Sequence, residues 1–307
     1  MKNKMSWHLH SLTFRLKSPL HIGSHKVMHL SRTRAYVPAR PLWGALTSKL
    51  TCQLAMTDYE KMGEFLKKTM IFGYFYLSDG NEVFIPQYTK EGLKFGSLSQ
   101  IEFEKRYISS LASTAIESNS FTAEEGTLHE VEFVSPYSIN DGKPVFLRGL
   151  LWVSGFQGLG LSITFEDDDF SISYYNKRVK FSESLDALQL GGERKYGFGL
   201  LKIEGKPKKE DVNDLKNLGF FGEWEEKGSE ILLKIKKGDP VWSHVEYTSD
   251  LKIRGDIEAI VGRDWDDMGA GRKLSTHGLC WSPGSVLIEE EAFKITHDFG
   301  LWIRENP

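Results

Sequence analysis

The order of apolar and polar residues predicts both strands and helices. Over residues 6–16, apolar residues recur at about every second position, which is typical of a half-buried strand. Over residues 41–54 they recur three and four positions apart, which predicts a helix with Pro41 in its first turn. Residues 58–70 form a second helical segment, and residues 71–77 read as an aromatic strand. The chain therefore opens with a strand, two helices and another strand.

The rest of the chain is predicted to be rich in strands. Residues 78–81 have the composition of a hairpin turn, and residues 82–86 would be its return strand. Residues 23–35 lack a clear period and are predicted to be a loop. Further strands are expected at 128–134, 145–153, 200–203, 230–235 and 244–253. The chain is thus predicted to combine a few helices with many strands.

A glycine-rich stretch is the most distinctive motif. It reads Gly191-Gly192-Glu193-Arg194-Lys195-Tyr196-Gly197-Phe198-Gly199, and it lies between a short helical run at 182–190 and the strand at 200–203. Backbone N–H groups in such a loop can face an anion, and the two adjacent cations add charge. The glycine order of a mononucleotide P-loop or a Rossmann fingerprint is absent. A tight helix–strand turn is the alternative interpretation.

A second stretch has the same character. Gly269-Ala270-Gly271-Arg272-Lys273-Leu274 again combines glycines and adjacent cations before an apolar strand, which hints at two related halves. The charged segment 206–214 contains Pro207 and is predicted to be a domain boundary. We therefore expect a domain over residues 1–205, with an insertion near 90–130, and a β-rich domain over 206–307 that contains the second glycine-rich loop.

Charge is unevenly distributed along the chain. The formal net charge of the 307 residues is −3, which argues against a uniformly basic nucleic-acid binder. No acidic residue occurs before Asp58, however, and five of the nine histidines lie in that stretch. Such an asymmetry suggests a local anionic partner, with a solvated face as the plainer explanation. The cations of the stretch are Lys2, Lys4, Arg15, Lys17, Lys26, Arg32, Arg34, Arg40 and Lys49.

The cysteine content and the lengths of the apolar runs also indicate a cellular compartment. Cys52 and Cys280 are the only cysteines and form no CxxC pair or disulfide framework, so a reducing cytoplasm fits. No apolar run is long enough to span a membrane, and the first residues lack the apolar core of a signal peptide. A cytoplasmic protein without a membrane partner is expected.

Three blocks of the sequence carry a resemblance to a known family. The first joins residues 18–23 (Ser-Pro-Leu-His-Ile-Gly) to residues 36–46, which include Pro38-Ala39-Arg40-Pro41. The second runs from residues 113–116 to residues 122–133, and the third is the glycine-rich stretch 191–199. Their order resembles the RAMP superfamily of CRISPR-associated RNA-binding proteins over about two-thirds of the chain. The resemblance implies an α+β fold, with a ferredoxin-like domain over residues 1–205 and a smaller, β-rich and degenerate second ferredoxin-like domain over residues 206–307.

The resemblance also implies a nucleic-acid site. A ferredoxin-like sheet presents edge loops to single-stranded RNA, whose phosphates meet glycine-rich loops and cations and whose bases stack on aromatic rings. Stacking candidates are Tyr36, Trp43, Tyr196 and Phe198, although Trp43 and Phe198 are more typical of a core. The residues expected to contact RNA are Lys26, Arg32, Arg34, Arg40, Gly191, Gly192, Arg194, Lys195, Tyr196, Gly197, Gly199, Arg272 and Lys273.

Within the family, the resemblance favours one role. Backbone subunits of type III effectors cut target RNA with an aspartate in the loop after the first strand, whereas residues 23–36 contain no acid. The second glycine-rich stretch looks more like the subunit that caps the 5′ repeat-derived handle of the guide. We therefore expect a non-catalytic guide-RNA-binding subunit, with CRISPR RNA, a large polymerase-like subunit and backbone subunits as partners. A backbone subunit lining the guide RNA is an alternative.

A second alternative is an enzyme. RAMP ribonucleases that cleave repeat RNA work without metal, through a general base that activates the ribose 2′-OH. His21, His25 and His29 lie near the expected position of such a base, and Tyr36 or Lys26 could assist. Against this, those enzymes carry the glycine-rich loop close to the C-terminus. A zinc site is disfavoured because no cysteine or carboxylate stands near the histidines, so no metal or other cofactor is expected.

Overall fold

The computed structural model describes residues 6–167, 169–266, 269–297 and 299–305, and these form a strand-rich α+β fold. Four α-helices occur in this part of the chain: α1 (Ala39–Gln53), α2 (Tyr59–Thr69), α3 (Gln100–Tyr107) and α4 (Phe181–Ser184). The first strands are β1 (Trp7–Leu16), β2 (Gly23–Val27), β3 (Leu30–Thr33), β4 (Tyr36–Val37), β5 (Met70–Phe72), β6 (Phe75–Ser78), β7 (Pro86–Thr89), β8 (Gly92–Phe95), β9 (Leu98–Ser99), β10 (Ile108–Ser113), β11 (His129–Val134), β12 (Phe146–Ser154), β13 (Phe156–Gly158) and β14 (Leu161–Glu166).

The remaining strands complete the chain to its C-terminal end. They are β15 (Asp169–Tyr174), β16 (Lys177–Lys180), β17 (Leu188–Gln189), β18 (Leu200–Ile203), β19 (Lys208–Glu210), β20 (Glu223–Lys227), β21 (Glu230–Ile235), β22 (Val245–Glu246), β23 (Ile253–Arg254), β24 (Ile257–Asp266), β25 (Gly269–Trp281), β26 (Val286–Leu287), β27 (Glu291–Ile295) and β28 (Trp302–Arg304). None of the helices in the described ranges is long and apolar enough to cross a lipid bilayer.

An eight-stranded sheet organises the N-terminal part. Its path is β17-β18-β1-β12-β6-β4, with β19 also paired to β1 and β5 to β12. β1 and β12 pair antiparallel from Trp7↔Ser154 to Arg15↔Phe146. The predicted alternation of β1 is confirmed, since Trp7, Leu9, Leu12, Phe14 and Leu16 are all buried.

The two long helices follow their predicted patterns. α1 begins at Ala39 with Pro38 as the N-cap, so Pro41 lies in its first turn as predicted, and the helix buries Leu42, Leu46 and Leu50. α2 is capped by Asp58, whose side chain accepts a hydrogen bond from the Lys61 N–H group. Lys67 and Lys68 occupy its last turn, where they complement the negative end of the helix dipole. Both helices therefore lie within a few residues of their predicted positions.

Several local predictions were wrong. Residues 23–33 form the β2–β3 hairpin instead of a loop, and β3 also pairs parallel with β11. Because every residue of β2 is exposed, the strand carries no apolar alternation that could reveal it. Residues 82–85 form no strand and make only the isolated bridge Ser78↔Val83. The predicted strand 244–253 is confined to β22 and β23, and the helical run 182–190 to the single turn α4.

The predicted insertion is mostly exposed. Its first part forms β7, β8, β9 and α3, whose Phe103 packs on Phe84 and Phe95. β10 then pairs with β11 along its whole length. Between them, residues 114–128 contribute only the isolated bridge Ile116↔Ala123 to the pairing pattern.

One hydrophobic cluster joins the two predicted domains. Trp152 of the N-terminal sheet stacks on Trp242 at 6.5 Å, and the Tyr76 hydroxyl donates to the Trp242 carbonyl at 2.6 Å. Trp242 also contacts Trp302 edge to face at 4.8 Å. β19, which lies within the predicted boundary segment 206–214, pairs directly with β1. The segments 1–205 and 206–307 therefore pack on a common core.

The C-terminal segment departs from its prediction in two ways. Its seven-stranded sheet has the order β20-β21-β27-β28-β22-β25-β24, and its described residues contain a 3₁₀ turn, Lys216–Leu218, but no α-helix. A ferredoxin-like unit requires helices that cross between strands, so the expected second copy of that fold is not present in these residues. Residues 269–274 belong to strand β25 and are not a second glycine-rich loop.

Candidate nucleic-acid interface

A cleft of about 820 Å³ lies where three parts of the chain meet. One wall is the N-terminal half of α1, a second is the glycine-rich loop with the start of β2, and the third is strand β24. Among the described side chains its lining contains four arginines and no carboxylate: Arg34, Arg40, Arg194 and Arg263. The cleft is therefore a concave and locally cationic surface on a chain whose net charge is −3.

The glycine-rich loop owes its shape to close backbone contacts. Gly199 has φ +80°, and its N–H donates to the Pro19 carbonyl at 2.7 Å. A Cβ at this position would lie 1.8 Å from the Leu190 carbonyl oxygen. Gly191 is similarly constrained, since a Cβ there would lie 2.4 Å from the His21 carbonyl oxygen. Glycine at both positions lets the loop lie against the segment that follows β1.

The centre of this loop is a short 3₁₀ turn, Arg194–Tyr196, that projects outward. The Gln189 side-chain amide fixes the turn by donating to the carbonyls of Arg194 at 3.1 Å and Phe198 at 2.9 Å. Arg194 and Lys195 are exposed and make no ion pair with any residue that the structure describes. The turn thus presents two unneutralised cations beside the cleft.

The four aromatic candidates have different surroundings. Tyr196 is 77 % exposed and can offer a ring face to a base. Phe198 is buried against Phe133, at 5.5 Å between ring centroids. The Trp43 indole N–H donates to the Gly63 carbonyl at 3.1 Å, which ties α1 to α2. Tyr36 is buried and stacks on Tyr74 at 5.7 Å. Of these four, Tyr196 is exposed and Trp43 is half-buried in the lining of the cleft, whereas Tyr36 and Phe198 are buried.

Arg34 belongs to an internal charged network at the floor of the cleft. Its guanidinium binds Glu258 through two hydrogen bonds, at 2.9 Å to Oε1 and 2.7 Å to Oε2. It also donates to the Tyr36 hydroxyl at 2.7 Å. A bidentate arginine–carboxylate pair of this kind is among the stronger polar contacts in proteins. The charge of Arg34 is therefore already paired within the molecule.

His244 completes that network. Its Nε2 lies 2.6 Å from Glu258 Oε1, and its Nδ1 lies 2.7 Å from the Tyr74 hydroxyl. Burial opposes ionisation of Glu258, but hydrogen bonds from His244 and Arg34 outweigh it and lower its pKa to about 2. Burial also lowers the pKa of His244, so the imidazole is neutral at pH 7. Its Nε2–H then donates to the carboxylate, and Nδ1 accepts from Tyr74.

Arg40 also contacts the third wall of the cleft. Its guanidinium donates to the Arg263 carbonyl at 2.7 Å and lies 4.1 Å from the ring centroid of Phe299. The Ser275 hydroxyl of β25 is 3.5 Å away. Arg40 thus links the first turn of α1 to both strands of the β24–β25 hairpin.

The other candidates lie outside the cleft lining. Arg32 pairs with Glu132 at 3.1 Å. Lys26 and His25 are exposed on β2, and His29 lies 3.9 Å from Glu130. Arg272 and Lys273 are exposed on β25.

The structure brings together only part of the predicted set. Six predicted residues line the cleft: Arg34, Arg40, Trp43, Gly191, Gly192 and Arg194. The alternative catalytic group is not assembled, because Tyr36 is buried in the network of Arg34 whereas His25 is exposed on a strand edge. Sequence reasoning missed Arg263, Glu258 and His244. A carboxylate inside the apolar run Ile257-Glu258-Ala259-Ile260-Val261 was the only signal for any of them.

A model of the RAMP superfamily matches residues 13–202. The chain belongs to the RAMP superfamily. The match includes the first two walls of the cleft but ends before β24. A search of curated proteins gave no match.

The fold is similar to that of solved effector-complex chains. One chain in the cryo-EM structure of the Type III-B Cmr-beta bound to cognate target RNA and AMPPnP, state 1, has 11 % identity and a TM-score of 0.51, covering 96 % of this chain and 99 % of that one. A chain of Type III-B Cmr-beta bound to cognate target RNA has 13 % identity, a TM-score of 0.47, and coverage of 90 % and 85 %. At 11 % identity, the first of these likenesses is one of fold alone.

Proposed function

We propose that this RAMP protein is a non-catalytic, guide-RNA-binding subunit of a type III CRISPR effector complex. The observation that carries the proposal is the cleft, in which the glycine-rich loop, the start of α1 and several arginines converge. Such a surface suits the phosphates of a single strand, and exposed Tyr196 suits one base. The fold similarity to a chain of Type III-B Cmr-beta is consistent with an effector subunit.

We further propose that the N-terminal sheet is ferredoxin-like. The order β18-β1-β12-β6 supports this, because it is the 4-1-3-2 order of a βαββαβ unit. In this assignment α1 and α2 precede the strand pair β5 and β6, and α4 precedes β18. The glycine-rich loop then connects the last helix to the last strand of the unit.

Among effector subunits, we propose the one that caps the 5′ repeat-derived handle. The support is chemical: the β2–β3 hairpin, which follows the first strand, contains no Asp or Glu between residues 23 and 35. Target cleavage by a backbone subunit would need an acid there. The large polymerase-like subunit and the backbone subunits are the proposed neighbours in the complex.

The first test removes both cations of the projecting turn. In a variant with Arg194→Ala and Lys195→Ala, guide-RNA affinity should fall. The slope of log K against log salt should flatten by about 1.4, since each lost phosphate contact on a single strand contributes about 0.7. Fluorescence anisotropy with labelled guide RNA at several salt concentrations measures both quantities. An unchanged slope would contradict phosphate contact by this loop.

A matched control and a second RNA sharpen the test. Lys236→Ala with Lys237→Ala removes two adjacent exposed cations that do not line the cleft, so it should leave the slope unchanged. For the handle, the wild type should bind a guide with its 5′ repeat-derived segment more tightly than one that lacks it. Equal affinity for the two RNAs would favour the role of a backbone subunit.

A further inference from the structure

The β24–β25 hairpin is held against the N-terminal part at two separate points. Near its base, Glu258 of β24 receives both guanidinium hydrogen bonds of Arg34. Five residues further along the same strand, the Arg263 carbonyl accepts from Arg40 at 2.7 Å. Within the described residues, β24 pairs with β25 alone and is the last strand of its sheet. The two arginines therefore contact an edge strand, on which His244 also binds Glu258 and the Phe299 ring lies beside Gly262.

The strand between these two contacts forms the third wall of the cleft. Ala259, Ile260, Val261 and Gly262 all line it. Gly262 is placed where a side chain would interfere with Arg40, because a Cβ there would lie 2.9 Å from the Arg40 guanidinium and 2.7 Å from the Phe299 ring. A residue without a side chain at this position thus lets the guanidinium lie against the strand.

We propose that Arg34 and Arg40 are positioning residues that hold β24 as a wall of the RNA cleft, rather than ligands of RNA phosphates. This inference rests on the proposed function. Arg34 already pairs with a carboxylate whose pKa is about 2, so its charge is neutralised at any ordinary pH. Arg40 donates to a backbone carbonyl and covers an aromatic ring. The side chains that remain available to bind RNA phosphates are then Arg194 and Lys195, which make no ion pair with the residues that the structure describes.

The two roles predict opposite effects for Glu258→Gln. If Arg34 binds a phosphate, this variant removes a competing carboxylate and guide RNA binds more tightly. If Arg34 holds the wall, the variant weakens the ion pair and loosens the hairpin, so RNA binds less tightly. We expect the Kd for guide RNA to rise by about fivefold or more, which is the lower range of ordinary coupling between sites. A tighter or unchanged Kd would overturn the proposal.

A second variant perturbs the other contact, between Arg40 and the Arg263 carbonyl, without changing any charge. Gly262→Ala should displace Arg40 from the Arg263 carbonyl, weaken RNA binding and leave the salt slope at its wild-type value. Gly44→Ala is the matched control. Gly44 also lines the cleft, but a Cβ there meets no atom within 4 Å. A reduced slope in Gly262→Ala would mean that a phosphate contact had been lost, and this would overturn the positioning role.

Hydrogen exchange on the free protein gives a readout independent of RNA. In Glu258→Gln and in Gly262→Ala, amides of residues 257–266 and 269–281 should exchange on the order of tenfold faster, because a loosened hairpin opens more often. Wild-type protection in both variants would refute the two-point attachment. A different result would contradict the proposed function: an Arg194→Ala and Lys195→Ala variant with the RNA affinity and the salt dependence of the wild type. In that case the exchange rates still decide whether the arginines hold the wall.

Discussion

Replacing Gly199 with alanine tests the close contact on which the glycine-rich loop depends. An L-residue at φ +80° costs about 1–2 kcal/mol in the left-handed region. The added Cβ would also lie 1.8 Å from the Leu190 carbonyl oxygen, so the backbone has to move. That movement puts two hydrogen bonds at risk, from Gly199 N–H to Pro19 and from Leu190 N–H to Gly199, worth about 1 kcal/mol each. The expected loss of stability is about 3–4 kcal/mol.

Gly197→Ala provides the control for this substitution. Gly197 has φ +84°, but a Cβ there meets no atom within 4 Å, so only the conformational cost of about 1–2 kcal/mol remains. At about 2–4 °C per kcal/mol for a chain of this order of size, the thermal midpoint should fall clearly further for Gly199→Ala. Circular dichroism or dye-based unfolding measures both midpoints. Equal shifts for the two variants would refute the argument that backbone contact shapes the loop.

Three further predictions concern the core, a buried histidine and catalysis. Trp242→Ala should lower the free energy of unfolding by about 3–5 kcal/mol, and the segments 1–205 and 206–307 should still unfold in one transition at a lower temperature. Two separate transitions in calorimetry would contradict a common core. Burial lowers the pKa of His10 from 6.5 to about 4. As the pH falls, the imidazole is therefore protonated in the unfolded chain before it is protonated in the folded protein, and the free energy of unfolding should fall by roughly 3 kcal/mol between pH 6.5 and pH 4. His10→Gln should lose this part of the pH dependence in denaturant titrations, and an unaltered profile would refute the assignment. Repeat RNA incubated with the protein in EDTA should stay intact on a gel, and cleavage that His25→Ala or His29→Ala abolishes would establish the enzyme alternative.

The hydrophobic pattern predicted elements that bury one regular face. β1, α1 and α2 were found in this way because each has a clear period of buried positions. β2 was missed because it is exposed along its length and is held by pairing with β3. The segment 269–274 was misread because its glycines and cations suit a loop, although residues of β24 pair with it. Composition alone does not distinguish an exposed hairpin strand from a turn.

The sequence predicted only those parts of the candidate site whose residues are neighbours along the chain. The glycine-rich loop could be read directly, since its special backbone positions and its cations are neighbours in the sequence. The partners of Arg34 and Arg40 could not, because Glu258 and Arg263 lie 224 and 223 residues further along the chain. An arginine selected for a phosphate and an arginine that pairs with a distant carboxylate look alike until the fold brings the second group into place.

The common core has a consequence for biosynthesis. Trp152 is covered by Trp242, which in turn contacts Trp302, so the aromatic side chains of the first sheet remain open while the ribosome is still making the last part of the chain. The interval from Trp152 to Trp302 is 150 residues, which is roughly 8–30 s of translation. During that time the nascent chain exposes an apolar surface to which chaperones can bind. If a chaperone dissociates before the C-terminal segment has been made, that apolar surface stays exposed.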